Sequence, residues 1–299
     1  MKVAVLMSTY NGAAFLQQQI ESILSQQGDF SLDLWVRDDG SQDDTINLLK
    51  EYESSHKLQW YTGKNLKPAH SFWDLLLHCP GYDYYAFADQ DDVWEENKLQ
   101  AAIKSISHAD GPALACANAQ LVGAKLEDLG RNVYLTPPAL DFETLSIAGG
   151  ILGCTMVLNH PLAQLLQSRD MPNNMVMHDF YIALICALAG GELYFDMTPH
   201  MKYRQHGSNV VGASRSKLSA LKDRLNTITK RAKVTVSQQA QNILMQYPEL
   251  GTDLQQQWLR KLACPSFFNR LSVACSTKTH YVNQNKAITL RLSILLGNR

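Results

Sequence analysis

The chain has no CxxC pair: its six cysteines, at positions 79, 116, 154, 186, 264 and 275, are scattered. Neither a disulfide framework nor a zinc site is signalled, and reduced, mostly buried thiols are expected. It also lacks any apolar run approaching the roughly 18 residues that read as a membrane span. The apolar part of the opening MKVAVLMSTYNG is far too short for a signal peptide, so a cytoplasmic protein is expected. No internal repeat and no low-complexity tract occur. Acidic residues are scarce late in the chain. Residues 213–299 carry 14 Lys/Arg against 3 Asp/Glu, whereas residues 1–212 carry 13 against 25, an asymmetry hidden by a formal net charge of −1. What is present is the composition of a globular protein. With 299 residues, 45% hydrophobic and 18% charged, it can bury a large core as one large domain or one plus an appendage. A nucleic-acid partner is not expected. The clearest boundary is the Gly/Ser-rich segment 207–216.

Against this background one stretch stands out, YYAFADQDDVWEENKL at 84–99, where an apolar run stops at three carboxylates, Asp89, Asp91 and Asp92. The run suits a strand covered on both faces, and in an open α/β sheet ligands sit outside the carboxyl ends of the strands. Side chains alternate along a strand, so Asp89 and Asp91 can point the same way and offer hard oxygen ligands to Mg²⁺ or Mn²⁺. The competing explanation is a solvated turn capping a helix that begins near Glu95.

Val3 to Met7 forms another short apolar strand, followed by Ser8-Thr9-Tyr10-Asn11-Gly12 and then by Phe15, Leu16, Ile20, Ile23 and Leu24 at helical spacing. A loop of small polar residues with one aromatic can stack on and hydrogen-bond a flat heterocycle; it also suits an ordinary strand-to-helix turn. A second strand, Leu32 to Arg37, ends in Asp38-Asp39-Gly40-Ser41-Gln42-Asp43-Asp44. Asp43 or Asp44 reads as a helix cap. Asp39, beside a tight glycine turn, can accept the imide N–H of uracil or thymine.

These segments resemble a known family. Ser8-Thr9-Tyr10-Asn11, Val36 to Ser41 (VRDDGS) and Ala88 to Trp94 (ADQDDVW) are similar in type, order and spacing to the amino-terminal signatures of family 2 glycosyltransferases. With His178-Asp179 and Tyr203 to Asn209 (YRQHGSN), the pattern looks most like the bacterial rhamnosyltransferase branch, over roughly residues 2–212. The resemblance implies a GT-A fold, that is, an α/β Rossmann-like, mostly parallel sheet flanked by helices, here followed by a C-terminal helical appendage. A nucleotide-binding part at about 1–115, an acceptor part at about 116–212 and a basic helical region at 213–299 are the expected divisions. The implied activity is inverting transfer of a sugar from a nucleoside diphosphate, dTDP or UDP, to a glycan acceptor of bacterial surface polysaccharide. L-rhamnose would be the sugar, and a lipid-linked acceptor is in view.

By the same resemblance, Thr9, Tyr10, Asn11 and Asp39 hold the nucleotide, Asp89 the ribose or the metal, and Asp91 the metal. Trp94 stacks on a sugar or closes the pocket, and Asp92 stands beside it. The glycine expected after Asn65 is replaced by Leu66, so Lys64 reads as a solvated lysine; Phe72, Trp73, Leu75 and Leu76 read as a core-facing helix. Ser146 to Thr155, with three glycines, borders the acceptor or is a plain strand bend. Asp179 aligns with the family's catalytic base, which takes the acceptor hydroxyl's proton, and otherwise caps a helix with His178. His206 completes the metal shell or contacts the diphosphate, unless it is a hydrogen-bonded structural residue, and Arg204 binds phosphate. From Ser214 to Lys233 a basic amphipathic helix is expected, and peripheral contact with anionic lipid at the inner face of the plasma membrane through 214–299, or packing on the acidic domain or on a second subunit, is expected of this region. Two other classes remain open: a metal-dependent nucleotidyltransferase, disfavoured by the lack of a basic Gly-rich loop after the first strand, and a catalytically inactive sugar-nucleotide-binding module, disfavoured by the presence of both Asp91 and Asp179.

Overall fold

The computed structural model describes residues 1–206, 232–281 and 284–298. Nine strands are present among them: β1 (Lys2–Thr9), β2 (Ser31–Asp38), β3 (Gln59–Thr62), β4 (Tyr84–Asp89), β5 (Val93–Trp94), β6 (Ala113–Val122), β7 (Asp128–Asn132), β8 (Val157–Asn159) and β9 (Glu192–Arg204). The helices are α1 (Ala13–Leu24), α2 (Thr45–Ser54), α3 (Lys67–His78), α4 (Lys98–Ile106), α5 (Phe142–Ala148), α6 (His160–Gln167), α7 (His178–Leu188), α8 (Val236–Gln246), α9 (Asp253–Ala263), α10 (Phe267–Ala274) and α11 (Gln284–Leu295). They fall into two compact units.

The first unit holds residues 1–135, 151–171 and the described residues from 191 to 206, and all nine strands lie in it. They form one sheet in the order β3-β2-β1-β4-β8-β6-β9-β5, with β7 on β6. The first four strands are mutually parallel. β1 and β4 read as continuous apolar runs because both their faces are covered; Val3 to Met7 and Tyr85 to Ala88 have no solvent exposure. The strand order reverses at β1, with β2 on one side and β4 on the other, which is the topological switch point where open α/β sheets bind ligands. Register brings the carboxyl ends level there: Thr9 is opposite Asp38, and Ser8 is opposite Asp89. Beyond β4 the sheet is mixed, with β8 antiparallel to β4 and β6, and β9 parallel to β6. β9 is long because it follows β6 along its length, with a register shift near Ala117. Its polar middle, Asp196 to His200, conceals that continuation in the sequence. Phe72, Trp73, Leu75 and Leu76 of α3 are buried, as expected.

The second unit holds residues 136–150, 172–190 and the described residues from 232 onward. It therefore cuts across the linear boundary expected near residue 212. The physical reason is α7, apolar nearly all round and buried from Phe180 to Cys186, which needs neighbours on every side. Its Tyr181 hydroxyl donates to Asn242 Oδ1 at 2.8 Å, and Trp258 Nε1 of α9 donates to Ser146 Oγ of α5 at 2.8 Å. Capping boxes at Thr235–Gln238 and Thr252–Gln255 start α8 and α9. The expected basic helix at 214–233 lies, except for its last two residues, outside the described residues. Among the described residues no helix is long and apolar enough to cross a membrane.

Candidate functional site

The loop after β1 is tied to the end of β4 by one side chain, Gln90. Its Oε1 accepts from Thr9 Oγ1 at 2.5 Å and from the Tyr10 amide at 2.9 Å, while its Nε2 donates to the Tyr10 carbonyl at 3.2 Å. A Cβ at Gly12 would collide with this amide, which explains a glycine there. Asn11 adopts φ +49°, and its Oδ1 accepts from the Gln42 amide at 2.8 Å. Asn11 therefore shapes the loop against the turn after β2, and the exposed Tyr10 ring is left at the crevice.

At the end of β2 two buried acids are held by the protein itself. Asp38 Oδ2 accepts from the amides of Gly40 and Ser41, both at 2.9 Å, and Thr62 Oγ1 at 3.2 Å. Gly40, at φ +85°, makes this turn possible. Asp39 is ion-paired through Oδ1 with Arg37, and its Oδ2 accepts from the amides of Leu66 and Lys67 at 3.0 and 3.1 Å. Arg37 in turn reaches Asp74 Oδ2 at 2.9 Å and the Lys64 carbonyl at 3.1 Å. The segment from Gly63 to Lys67 is thus docked on the Arg37–Asp39 pair, with the Lys64 side chain exposed.

The end of β4 is different. Asp89 and Asp92 present carboxylate oxygens that lie, with Cys154 Sγ, within 4.8 Å of one another. Asp92 is fully buried, and its carboxyl is pushed well above the usual range, first by burial and then by the charges of Asp91 and Asp89. The Arg204 amide donates to Asp92 Oδ1 at 3.1 Å. Asp91 Oδ2 lies 2.6 Å from His206 Nε2, and the imidazole packs on Phe15 with ring centroids 4.8 Å apart. The cluster thus offers carboxylate oxygens, a thiol and one imidazole, with the Arg204 guanidinium and the Lys98 ammonium as its neighbouring cations. The donors that lie close enough to share one ion are Asp89, Asp92 and Cys154, with the Asp91–His206 pair beside them.

Several side chains serve in other ways than expected. Arg204 does not turn toward a phosphate. Its guanidinium is buried and donates to the carbonyls of Asp91 and Ala124, both at 2.6 Å, and to Gln18 Oε1 at 2.7 Å, while stacking over Phe15 at 4.6 Å. It fixes the backbone of the acidic turn. Trp94 is buried in the core cluster, its amide bonded to Ser22 Oγ at 3.0 Å and its ring 3.5 Å beneath the Lys98 Nζ, so it closes the site from behind and offers no sugar platform. His178 is buried as well, which pushes its imidazole down to about 3 and keeps it neutral. Asp179 follows it in the first turn of α7, its Oδ1 accepting from the Phe180 amide at 2.6 Å, within the second unit.

Sequence reasoning missed Gln90, Lys98 and Cys154. Gln90 had a signal, its place between two acids of one motif. Cys154 comes from a glycine-bearing segment more than sixty residues downstream, and only the sheet, through β8, brings it to β4. Lys98 is the first residue of α4, where a lysine ordinarily faces solvent; here it is buried, with no hydrogen-bond acceptor for Nζ among the described residues.

Comparison with known proteins agrees with the geometry. The sequence model of glycosyl transferase family 2 matches residues 4–162, and the chain belongs to that family. It is 26% identical over 219 residues to the dTDP-rhamnosyl transferase RfbG of Shigella flexneri, covering 70% of this chain and 74% of that protein. It is 27% identical over 165 residues to the UDP-Glc:alpha-D-GlcNAc-diphosphoundecaprenol beta-1,3-glucosyltransferase WfgD of Escherichia coli, covering 54% of this chain and 61% of that one. Among solved structures, S. aureus TarS 1–349 in complex with UDP-GlcNAc superposes with a TM-score of 0.55 at 16% identity, covering 99% of this chain and 91% of that one. The mannosyltransferase PcManGT of Pyrobaculum calidifontis, in complex with GDP-Man and Mn²⁺, superposes with a TM-score of 0.54 at 15% identity, covering 99% and 74%. The fold is the GT-A α/β fold, and the chain is a glycosyltransferase.

Proposed function

We propose that this protein transfers a sugar, with inversion, from a dTDP- or UDP-linked donor to a glycan acceptor in bacterial surface-polysaccharide synthesis, assisted by Mn²⁺ or Mg²⁺. The observation that carries the reading is the meeting, at the switch point of one parallel sheet, of a hydrogen-bonded, Arg37-paired acid pair at the end of β2 and a crowded acid cluster at the end of β4. The similarity to RfbG favours dTDP-rhamnose as donor, and that to WfgD favours an acceptor on a lipid diphosphate.

In this reading Thr9, Tyr10 and Asp39 receive the base. A carboxylate has about four lone-pair sites, so Asp39 can take an imide N–H beside its bonds to Leu66 and Lys67. Asp89, Asp91 and His206 hold the cation, which when bound neutralises the charge that develops on the departing diphosphate. Gln90 ties the loop after β1 to the end of β4, and Arg204 fixes the backbone of the acidic turn. Asp179 takes the proton from the acceptor hydroxyl as its oxygen bonds the anomeric carbon and the bond to the β-phosphate breaks. His178, held neutral by burial, is the poorer base of the two. A panel of UDP-, dTDP- and GDP-sugars with Mn²⁺ or Mg²⁺, scored for donor turnover and for protection against melting, tests the proposal. Protection and metal-dependent turnover with one base class are expected, whereas indifference to every donor would overturn it.

A further inference from the structure

The four helices α8 to α11 of the second unit leave a cavity of about 310 Å³ between them, lined from the first turn of α8, the last turn of α9, α10 and the end of α11. Its wall includes the buried apolar residues Val236, Leu262, Val273 and Ile294 and the polar residues Ser237 and Gln238. Two cations, Lys261 and Arg270, also line it, and none of the lining residues is acidic. Among the described residues neither cation has a carboxylate partner, and Arg270 Nε is buried without a hydrogen-bond acceptor. Arg270 Nη1 occupies the space that a Cβ on Gly297 would fill, so the guanidinium is seated against bare backbone just past α11.

A buried guanidinium nitrogen with no acceptor costs stability, and the fold offers no compensation of its own. The dipole of α9 accounts for a lysine in the last turn of that helix. It does not account for Arg270, which stands in the middle of α10, and after Asp253 the chain has no acidic residue to answer either charge. Further donors stand on the same wall. Val236 and Ser237 are the first two residues of α8, so their amides have no acceptor within the helix, and Gln238 spends its Oε1 on the capping box, which leaves its Nε2 to donate. A carboxylate would bring one charge and two oxygens in a plane. A phosphate or diphosphate brings more charge and more oxygens, and these suit a guanidinium fork, an ammonium and helix-end amides together. We infer that this cavity binds a phosphate or diphosphate group. Two sources carry such a group: a soluble phosphate or diphosphate, and the head of a prenyl diphosphate, whose apolar stem Leu262, Val273 and Ile294 can receive. The assignment uses residues of the second unit alone, and it stands whether or not the donor and metal assignments above are right.

Calorimetric titration of the full-length protein with inorganic diphosphate, in buffer without divalent metal, tests the inference. Saturable binding is expected, and acetate at equal ionic strength does not reproduce it. Lys261→Gln and Arg270→Gln each lower the affinity by roughly tenfold or more, with hydrolysis of a water-soluble donor unchanged. Arg270→Met supplies a readout on the ligand-free protein. Without the unpaired cation it melts higher than wild type in phosphate-free buffer, and diphosphate no longer raises its melting temperature. Farnesyl diphosphate separates the two sources: tighter binding than inorganic diphosphate assigns the cavity to a lipid-linked group, and equal binding assigns it to a soluble one. Absence of binding by both probes, binding that acetate reproduces, or wild-type affinity in Lys261→Gln and Arg270→Gln would each overturn the assignment. So would an Arg270→Met protein that melts lower than wild type yet keeps its full diphosphate protection, because the guanidinium would then be structural. Wild type that binds diphosphate here but turns over no donor would count against the proposed function and leave this cavity standing.

Discussion

Two strand ends in the same sheet both present adjacent aspartates, and they are opposite in design. At the end of β2, Arg37 lies against Asp39, and backbone amides of Gly40, Ser41, Leu66 and Lys67 fill the remaining oxygens of Asp38 and Asp39. At the end of β4, three carboxylates lie together, and burial first, then the charges of Asp91 and Asp89, raises Asp92. The first site has its carboxylate oxygens satisfied by hydrogen bonds and Arg37; the second holds a buried carboxyl beside other acids. Acids that the chain itself satisfies set the shape of a site, whereas acids that it leaves in excess mark where a cation completes it.

The contrast is broken most directly at Asp91. Asp91→Asn keeps the hydrogen bond to His206 within reach but removes the charge. Metal-dependent turnover should fall by about a thousandfold or more, several kcal/mol of transition-state stabilisation, with the fold intact by circular dichroism. Wild-type turnover in this variant, or full wild-type activity in chelator, would show that the β4 cluster needs no cation. Next in size is Asp179→Asn in the second unit. General-base help is typically worth about 10²- to 10⁴-fold, so kcat should drop by that order with donor affinity nearly unchanged. A loss seen wholly as weaker donor binding would point to a cap on α7 and not to a base.

Asp39→Asn sharpens the comparison from the other side. The amide loses the pairing with Arg37, which keeps Asp74 as a partner. We expect a stability loss of about 1–3 kcal/mol and a roughly tenfold rise in donor KM with kcat little changed. If this variant instead costs more turnover than Asp91→Asn, the two strand ends have been assigned the wrong way round.

Much of this arrangement was legible in the sequence because it is local. The apolar runs ending in DDGS and DQDD announce strands that deliver acids to a sheet edge, and the buried run from Val3 to Met7 announces their neighbour. What the sequence hid depends on long-range pairing. Arg204 belongs to a motif that suggests phosphate binding, yet β9 carries it beside α1, where Phe15, Gln18 and the carbonyls of Asp91 and Ala124 take up its whole guanidinium. Trp94 sits next to the acids in sequence but belongs to β5, whose pairing with β9 turns its ring into the core. The grouping of α5 and α7 with the C-terminal helices follows from apolar faces too broad for one neighbour, a property that periodicity alone does not assign to a partner.

The smallest expected effect concerns the cation at each end. Arg37 is fully engaged beside Asp39; its counterpart near the β4 cluster is Lys98, whose Nζ lies over the Trp94 ring and is drawn by Cys154 and Asp92. Burial lowers Lys98 to about 7, and the attraction of those neighbours does not restore it. In the unfolded chain a lysine titrates near 10.4. Between about pH 7 and pH 10.4 the unfolded state therefore binds a proton that the folded state does not, so stability rises with pH across that window, and below pH 7 the cost of burying the ammonium is present in full. Lys98→Met removes the cost while keeping the apolar stem. The variant should be more stable than wild type at neutral pH, by a few kcal/mol at most, and the gap should close as pH rises toward 10.4. Urea unfolding at neutral pH and again near pH 10 measures both ends of the window. A variant less stable than wild type at neutral pH would mean that Lys98 serves the β4 acids as Arg37 serves Asp39, and the distinction between a completed and an open acid site would lose its electrostatic basis.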